Sequence, residues 1–126
     1  MLINIDFRDK RPLYEQVSDK LEELILKGVI KPEEALPSVR ALAVELSINP
    51  NTVQKAYAAL EQKGLIYSVS GRGSFASDAS AVLPRKKEEL FEELDAILFR
   101  AGDLGITKED IAARIDSFDT RHPGRR

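Results

Sequence analysis

Apolar positions along the chain recur first at helical spacing and then at strand spacing. Leu13, Val17, Leu21, Leu24 and Ile25 fall on one helical stripe, with Glu15, Gln16, Asp19, Lys20, Glu22 and Glu23 between them. Pro12 stands where this helix begins, and Gly28 with Pro32 closes it. Upstream, Leu2-Ile3-Asn4-Ile5-Asp6-Phe7 alternates well enough for a short strand or an extended arm. Two shorter helices follow. Ser38 can cap one that carries Val39, Leu42, Ala43 and Leu46. After the tight connection Ser47-Ile48-Asn49, Asn49 caps another, with Pro50 at its first position, where a missing N–H costs nothing. Val53, Ala56, Tyr57 and Leu60 are its buried stripe, and Gly64 ends it. Leu65-Ile66-Tyr67-Ser68-Val69 then reads as a strand, Ser70-Gly71-Arg72-Gly73 as a turn and Ser74-Phe75-Ala76 as the returning strand. Helix, helix, turn, helix and hairpin, in that order, make a winged helix-turn-helix.

Asp78-Ala79-Ser80-Ala81 is small and polar, and reads as a linker. From Pro84 a second helical segment begins. Leu90, Phe91, Leu94, Ile97, Leu98 and Ala101 form a wide apolar stripe, opposed by Glu88, Glu89, Glu92, Glu93 and Asp95, and Gly102 and Gly105 break it. Thr107-Lys108-Glu109-Asp110 has the form of a capping box with Asp in its last place, and Ile106 and Ile111 are spaced as a hydrophobic staple. A short last helix carries Ile111, Ile115 and Phe118, and the chain ends in a frayed tail. The expected division is therefore a winged domain over residues 1–77, a two-helix segment over 78–120 and a flexible tail over 121–126. The fold class is mainly α with a small β-hairpin.

Composition narrows the function. The 126 residues contain no Cys, which excludes disulfides, zinc knuckles and a thiol nucleophile. His122 lies in the tail with no Cys and no obvious Asp neighbour, so a catalytic triad has no support. The acids from Glu88 to Glu93 read as the solvated face of an amphipathic helix rather than as metal ligands. No apolar run approaches a membrane span, and Asp6, Arg8, Asp9 and Lys10 interrupt any N-terminal signal, so a cytoplasmic protein is expected. No enzyme activity, cofactor, catalytic residue or metal site is expected. The net charge of −2 argues against a uniformly basic nucleic-acid protein. Between Leu36 and Ser77, however, Arg40, Lys55, Lys63 and Arg72 face only Glu45 and Glu61, so this stretch alone is weakly basic.

The candidate chemistry lies in that stretch. On the helix after Asn49, residues Asn51, Lys55, Ala58 and Gln62 point away from the buried stripe, flanked by Thr52 and Gln54. The first acid, Glu61, comes near the far end. Amides can pair with adenine, Lys with guanine or phosphate, and Ala and Thr methyls with the thymine methyl. An ordinary solvated helix with short side chains would look the same, so this face alone leaves both readings open. At the hairpin tip, Gly71 and Gly73 would let the backbone approach a sugar-phosphate chain while Arg72 reaches the minor groove or a phosphate. Any tight hairpin also favours glycine. Arg40 sits in the first turn of its helix, where the dipole favours anions, so a phosphate partner would rationalise it. A surface Arg pairing with Glu45 or another acid is the alternative.

Taken together these pieces resemble the GntR family of bacterial transcription regulators over about Pro12 to Ala76. The resemblance is carried by Pro12-Leu13-Tyr14-Glu15-Gln16-Val17, by Leu36-Pro37-Ser38-Val39-Arg40-Ala41-Leu42-Ala43, by Asn49 to Tyr57 with Leu60-Glu61 and Gly64, and by Gly71-Arg72-Gly73-Ser74-Phe75. The Asn-Pro-Asn-Thr-Val and Lys-Ala-Tyr wording is similar to the YtrA subfamily, which carries only a short helical C-terminal segment. The resemblance implies a dimeric repressor binding a palindromic double-stranded DNA operator. It implies DNA contacts at Ser38, Arg40, Asn51, Thr52, Gln54, Lys55, Gly71, Arg72 and Gly73. Two departures stand out. The family loop usually reads Pro-Gly-Asp or Pro-Gly-Glu where this chain has Pro32-Glu33-Glu34-Ala35, and some branches carry a basic residue where Pro50 stands.

About 50 residues follow Ala76, too few for a separate effector domain. The stripe of Leu90, Phe91, Leu94, Ile97 and Leu98 is expected to be covered by the same helix of a second subunit, giving a two-fold homodimer. Packing back on the winged domain is the other way to cover it. Function therefore reads as a DNA-binding transcriptional regulator, with a winged-helix protein-interaction module as the alternative. No small-molecule effector is assigned.

Overall fold

The computed structural model describes residues 3–121 and forms two compact units, residues 1–85 and 86–126. In the first, α1 (Leu13–Leu26), α2 (Val39–Leu46) and α3 (Pro50–Gln62) precede a hairpin of β1 (Ile66–Val69) and β2 (Gly73–Ala76). Both α1 and α2 pack on α3, around a core in which Val17, Leu21, Leu42, Val53, Leu60 and Leu65 are fully buried. Each buried aliphatic side chain contributes about 1.5–3 kcal/mol over its exposed state. The apolar stripes read from sequence are the faces that meet here.

Local chemistry sets the angles between these helices. The Ser38 hydroxyl accepts from the Ala41 N–H at 3.0 Å and starts α2. At its end Ser47 takes a left-handed φ of 56°, while Ser47 N–H reaches Val44 O and Ile48 N–H reaches Ala43 O. This pair of bonds is a Schellman closure built without glycine. It turns the chain at once into α3, where the Asn49 side chain accepts from Asn51 N–H at 2.8 Å.

The hairpin is antiparallel, with Tyr67 opposite Phe75 and their rings stacked at 5.7 Å. Its outer edge is not bare. Glu33 N–H donates to Ala76 O, Ala76 N–H to Glu34 O and Leu36 N–H to Ser74 O, so residues 33–36 run along β2 and bridge it at Ala35, opposite Phe75. The sequence Pro32-Glu33-Glu34-Ala35 carries no strand signal, and only the pairing with β2 sets Ala35 beside Phe75.

The arm before α1 forms no strand. Gln16 is buried in α1, and its side-chain oxygen accepts from Asp6 N–H at 2.9 Å while its nitrogen donates to Asp6 O at 3.0 Å. One amide thus takes the place of a neighbouring strand and holds buried Ile3 in the core. Leu2 lies outside the described residues.

The first unit also runs past the Ser77 boundary expected from composition. Residues 79–81 form a 3₁₀ turn capped by Asp78, and Val82 is buried among the core residues. The polar stretch is therefore part of the winged domain and not a free linker, because one apolar residue anchors its far end.

The second unit holds the rest of α4 (Leu83–Asp103) and α5 (Lys108–Arg121). Helix α4 passes through Gly102 instead of breaking there, and the turn is made at Gly105, with φ 75°. The capping box forms in both directions, Thr107 N–H to Asp110 Oδ2 at 2.9 Å and Asp110 N–H to Thr107 Oγ1 at 3.1 Å. Helix α5 continues through Arg121, the first residue of the expected tail, and residues 122–126 of that tail lie outside the described residues.

Candidate nucleic-acid interface

The helix-turn-helix brings Ser38, Arg40, Asn51, Thr52, Gln54 and Lys55 to the first turns of two packed helices. Ser38 and Arg40 are exposed at the start of α2. The Ser38 hydroxyl is already an acceptor for its own helix, and its O–H remains available as a donor. Arg40 is exposed and has no ion pair among the described residues; it sits at the helix end where a cation is unfavourable without an anion.

The start of α2 is tied to α3 by one bond, from the Tyr57 hydroxyl to the Pro37 carbonyl at 2.7 Å. Burial pushes the Tyr57 hydroxyl up to about 12, so it stays a donor at every physiological pH. Sequence reading treats Tyr57 only as a member of the apolar stripe. Its hydroxyl is the missed element, and a tyrosine where Leu or Phe would fill a core is the one available signal.

On α3, Asn51, Gln54 and Lys55 are exposed and Thr52 is half-buried. The Thr52 N–H is bonded to Asn49 O, leaving its side chain at the margin of the exposed face. Lys55 is exposed as expected, and its side chain leans toward α1. Its ammonium lies 4.2 Å from the centre of the Tyr14 ring, on the first turn of α1. Ala58 is exposed and Ala59 half-buried, so the outer surface of α3 is shallow. Glu61, the acid nearest its C-terminal end, accepts from the Ser68 hydroxyl at 2.7 Å and is thereby directed to the hairpin.

Gly71, Arg72 and Gly73 form the exposed tip of the hairpin. Arg72 N–H closes the turn on Val69 O at 2.9 Å, with Gly71 at φ 77° in the position where a type II turn requires glycine. No neighbouring atom would meet a Cβ at Gly71 or Gly73, so backbone conformation rather than crowding selects glycine there. The altered family loop has the same logic inverted. Glu33 adopts φ 68° where a glycine would be unstrained, and its carboxylate accepts a hydrogen bond from the Tyr67 hydroxyl.

In the second unit Leu90, Phe91, Leu94, Ile97 and Leu98 lie along α4 and remain exposed, Leu90 by 65% and Phe91 by 59%. Leu94, Ile97 and Leu98 line a groove of about 930 Å³ with Ile106, Ile111 and Ile115 of the α5 side. Among the described residues no group of three or more His, Asp or Glu is placed to hold a metal ion. Nor is any described helix long and apolar enough to cross a membrane.

Comparison with known proteins agrees with this geometry. The family model for bacterial regulatory proteins of the gntR family matches residues 13–75. The chain is 39% identical to the transcriptional repressor YtrA of Bacillus subtilis, over 87% of this chain and 86% of that protein. A transcriptional regulator from Oenococcus oeni superimposes with a TM-score of 0.74 at 29% identity, covering 94% of this chain and 98% of that one. The DNA-binding domain of AraR, in complex with an operator, matches with a TM-score of 0.55 at 29% identity, over 60% of this chain and 96% of that one. These relatives are transcription regulators, and the chain is not an enzyme. The match of family model, length and fold places it: the chain belongs to the GntR family of bacterial regulatory proteins and is a DNA-binding transcriptional regulator with a winged helix-turn-helix.

Proposed function

We propose that the chain is a sequence-specific repressor that binds a two-fold symmetric operator as a homodimer. The observation that carries this reading is the exposed, acid-poor N-terminal half of α3, flanked at the start of α2 by an Arg40 with no ion pair among the described residues. In this reading α3 enters the major groove. Asn51, Thr52 and Gln54 contact base edges, while Ser38 and Arg40 hold phosphates. The tip Gly71–Gly73 approaches the adjacent minor groove, with Arg72 reaching into it. Repression is supported by the named role of YtrA, and operator binding by the named complex of AraR.

The exposed α4 stripe supports the dimer. An apolar face of this width is unfavourable in water, and a second copy would cover it symmetrically. Two copies would address two half-sites about one helical turn, or a small multiple, apart. Because the weakly basic stretch of each winged domain is confined to residues 36–77, non-specific affinity should be low and operator binding should depend on both half-sites together. Selection of bound sequences from random duplex DNA, with affinities repeated across salt concentrations, tests the reading. The expected result is a palindromic consensus with a linear log–log salt dependence. Equal affinity for all duplexes, or none for any, would overturn it and favour a protein-interaction module.

A further inference from the structure

The pose of Lys55 separates it from two other lysines of the winged domain. Lys27 and Lys63 each lie against a carboxylate, Glu23 at 2.8 Å and Glu22 at 3.3 Å. The Lys55 ammonium instead lies over an aromatic ring, 4.2 Å from its centre, and has no ion pair among the described residues. A carboxylate would neutralise the charge. A ring face orients an ammonium and leaves its full charge and most of its N–H donors to the outside. The ring belongs to Tyr14, on the first turn of α1, so the Lys55 side chain is laid sideways from the recognition helix toward its neighbour. Among the described residues, nothing tethers the Asn51 or Gln54 side chain in this way.

A base-edge reader must extend from the helix to the floor of the groove. A side chain held against the adjacent helix faces the groove wall, where the phosphates run. Lysine suits that position, being a compact point charge with rotatable donors that needs no bidentate geometry. We infer that Lys55 is a phosphate clamp and not a base reader, and that the Tyr14 ring is the positioning group that holds it in place. This rests on the DNA-binding reading above. It narrows base readout in α3 to Asn51, Thr52 and Gln54, and gives Tyr14 of the first helix a part in recognition.

The test uses the full chain with two probes, a duplex obtained by selection and an unrelated duplex of equal length. Lys55→Ala is expected to weaken binding to both duplexes by the same factor, to lower the salt slope by about 0.9 per protomer, and to leave the selected consensus unchanged. Tyr14→Leu is expected to weaken binding about two- to fivefold in the parent and not at all in the Lys55→Ala background. Tyr14→Phe, which keeps the ring and loses only the hydroxyl, is expected to bind as the parent does. Thermal melting of each variant separates loss of fold from loss of contact.

A changed consensus at one base position in Lys55→Ala, with an unchanged salt slope, would overturn the phosphate role. Equal losses from Tyr14→Leu in both backgrounds, or a loss in Tyr14→Phe as large as in Tyr14→Leu, would overturn the positioning role. A parent protein that binds neither duplex would remove the DNA-binding reading itself, and this inference with it.

Discussion

The Tyr57 hydroxyl donates to the carbonyl of Pro37, twenty residues earlier in the chain, and this one bond sets the start of α2 against the recognition helix. Ser38 and Arg40 follow directly after Pro37, so the bond also fixes where their side chains leave the domain surface. Tyr57→Phe should lower stability by about 1 kcal/mol in urea unfolding, the usual net value of one internal hydrogen bond. The hydroxyl is raised from 10 to about 12 in the folded state, so its contribution is complete below pH 10 and is lost as pH rises toward 12. The parent should therefore lose stability across that interval more steeply than Tyr57→Phe. Parallel pH profiles for the two proteins would contradict the assignment.

Arg40→Ala should weaken operator binding by about three- to tenfold at moderate salt and reduce the salt slope, as expected for one lost phosphate contact. Its melting temperature should stay unchanged or rise slightly, because a cation in the first turn opposes the helix dipole. A gel-shift titration beside a thermal melt reads both. Unchanged affinity would remove Arg40 from the interface.

Glu33 holds a left-handed φ of 68°. That conformation costs about 1–2 kcal/mol for a residue with a Cβ, against about 0.5–1 kcal/mol of added chain entropy for glycine. Glu33→Gly should accordingly stabilise the winged domain by about 0.5–1 kcal/mol in spite of the lost contact with Tyr67, since that contact is solvent-exposed. A clear fall in the urea midpoint would show that the Glu33–Tyr67 contact outweighs the backbone strain.

Leu94 and Leu98 lie within the exposed stripe of α4. Replacing both with Lys should turn a dimer into a monomer in light scattering while the helical circular dichroism of the winged domain is retained. Operator affinity should fall by about 10²-fold or more, because two weak half-sites would then bind independently. A monomeric parent protein would refute the assembly outright.

Much of the winged domain is legible in the chain because its signals are local. Ser38 and Asn49 announce helix starts through their own side chains, and both make the expected caps. The stripe Val53, Ala56, Tyr57 and Leu60 needs only helical periodicity to be recognised, and all four residues are buried. Other features have no local signature. Residues 33–36 dock along β2 because it offers unpaired backbone groups, and Gln16 is buried because the arm at Asp6 offers two more. Val82 follows a polar stretch that reads as a linker, and only packing places it in the core.

The candidate interface divides along the same line. Sequence alone determined the helix-turn-helix, the polar face of α3 and the glycine tip around Arg72, because periodicity, capping and turn chemistry act over a few residues and report on themselves. Tertiary structure alone decided that Tyr57 anchors Pro37, that Lys55 lies across Tyr14 and that Glu33 occupies a strained turn against Tyr67. Each joins residues between 20 and 41 positions apart. A side chain's direction at such a site depends on which distant group packing brings beside it, and no pattern along the chain records that.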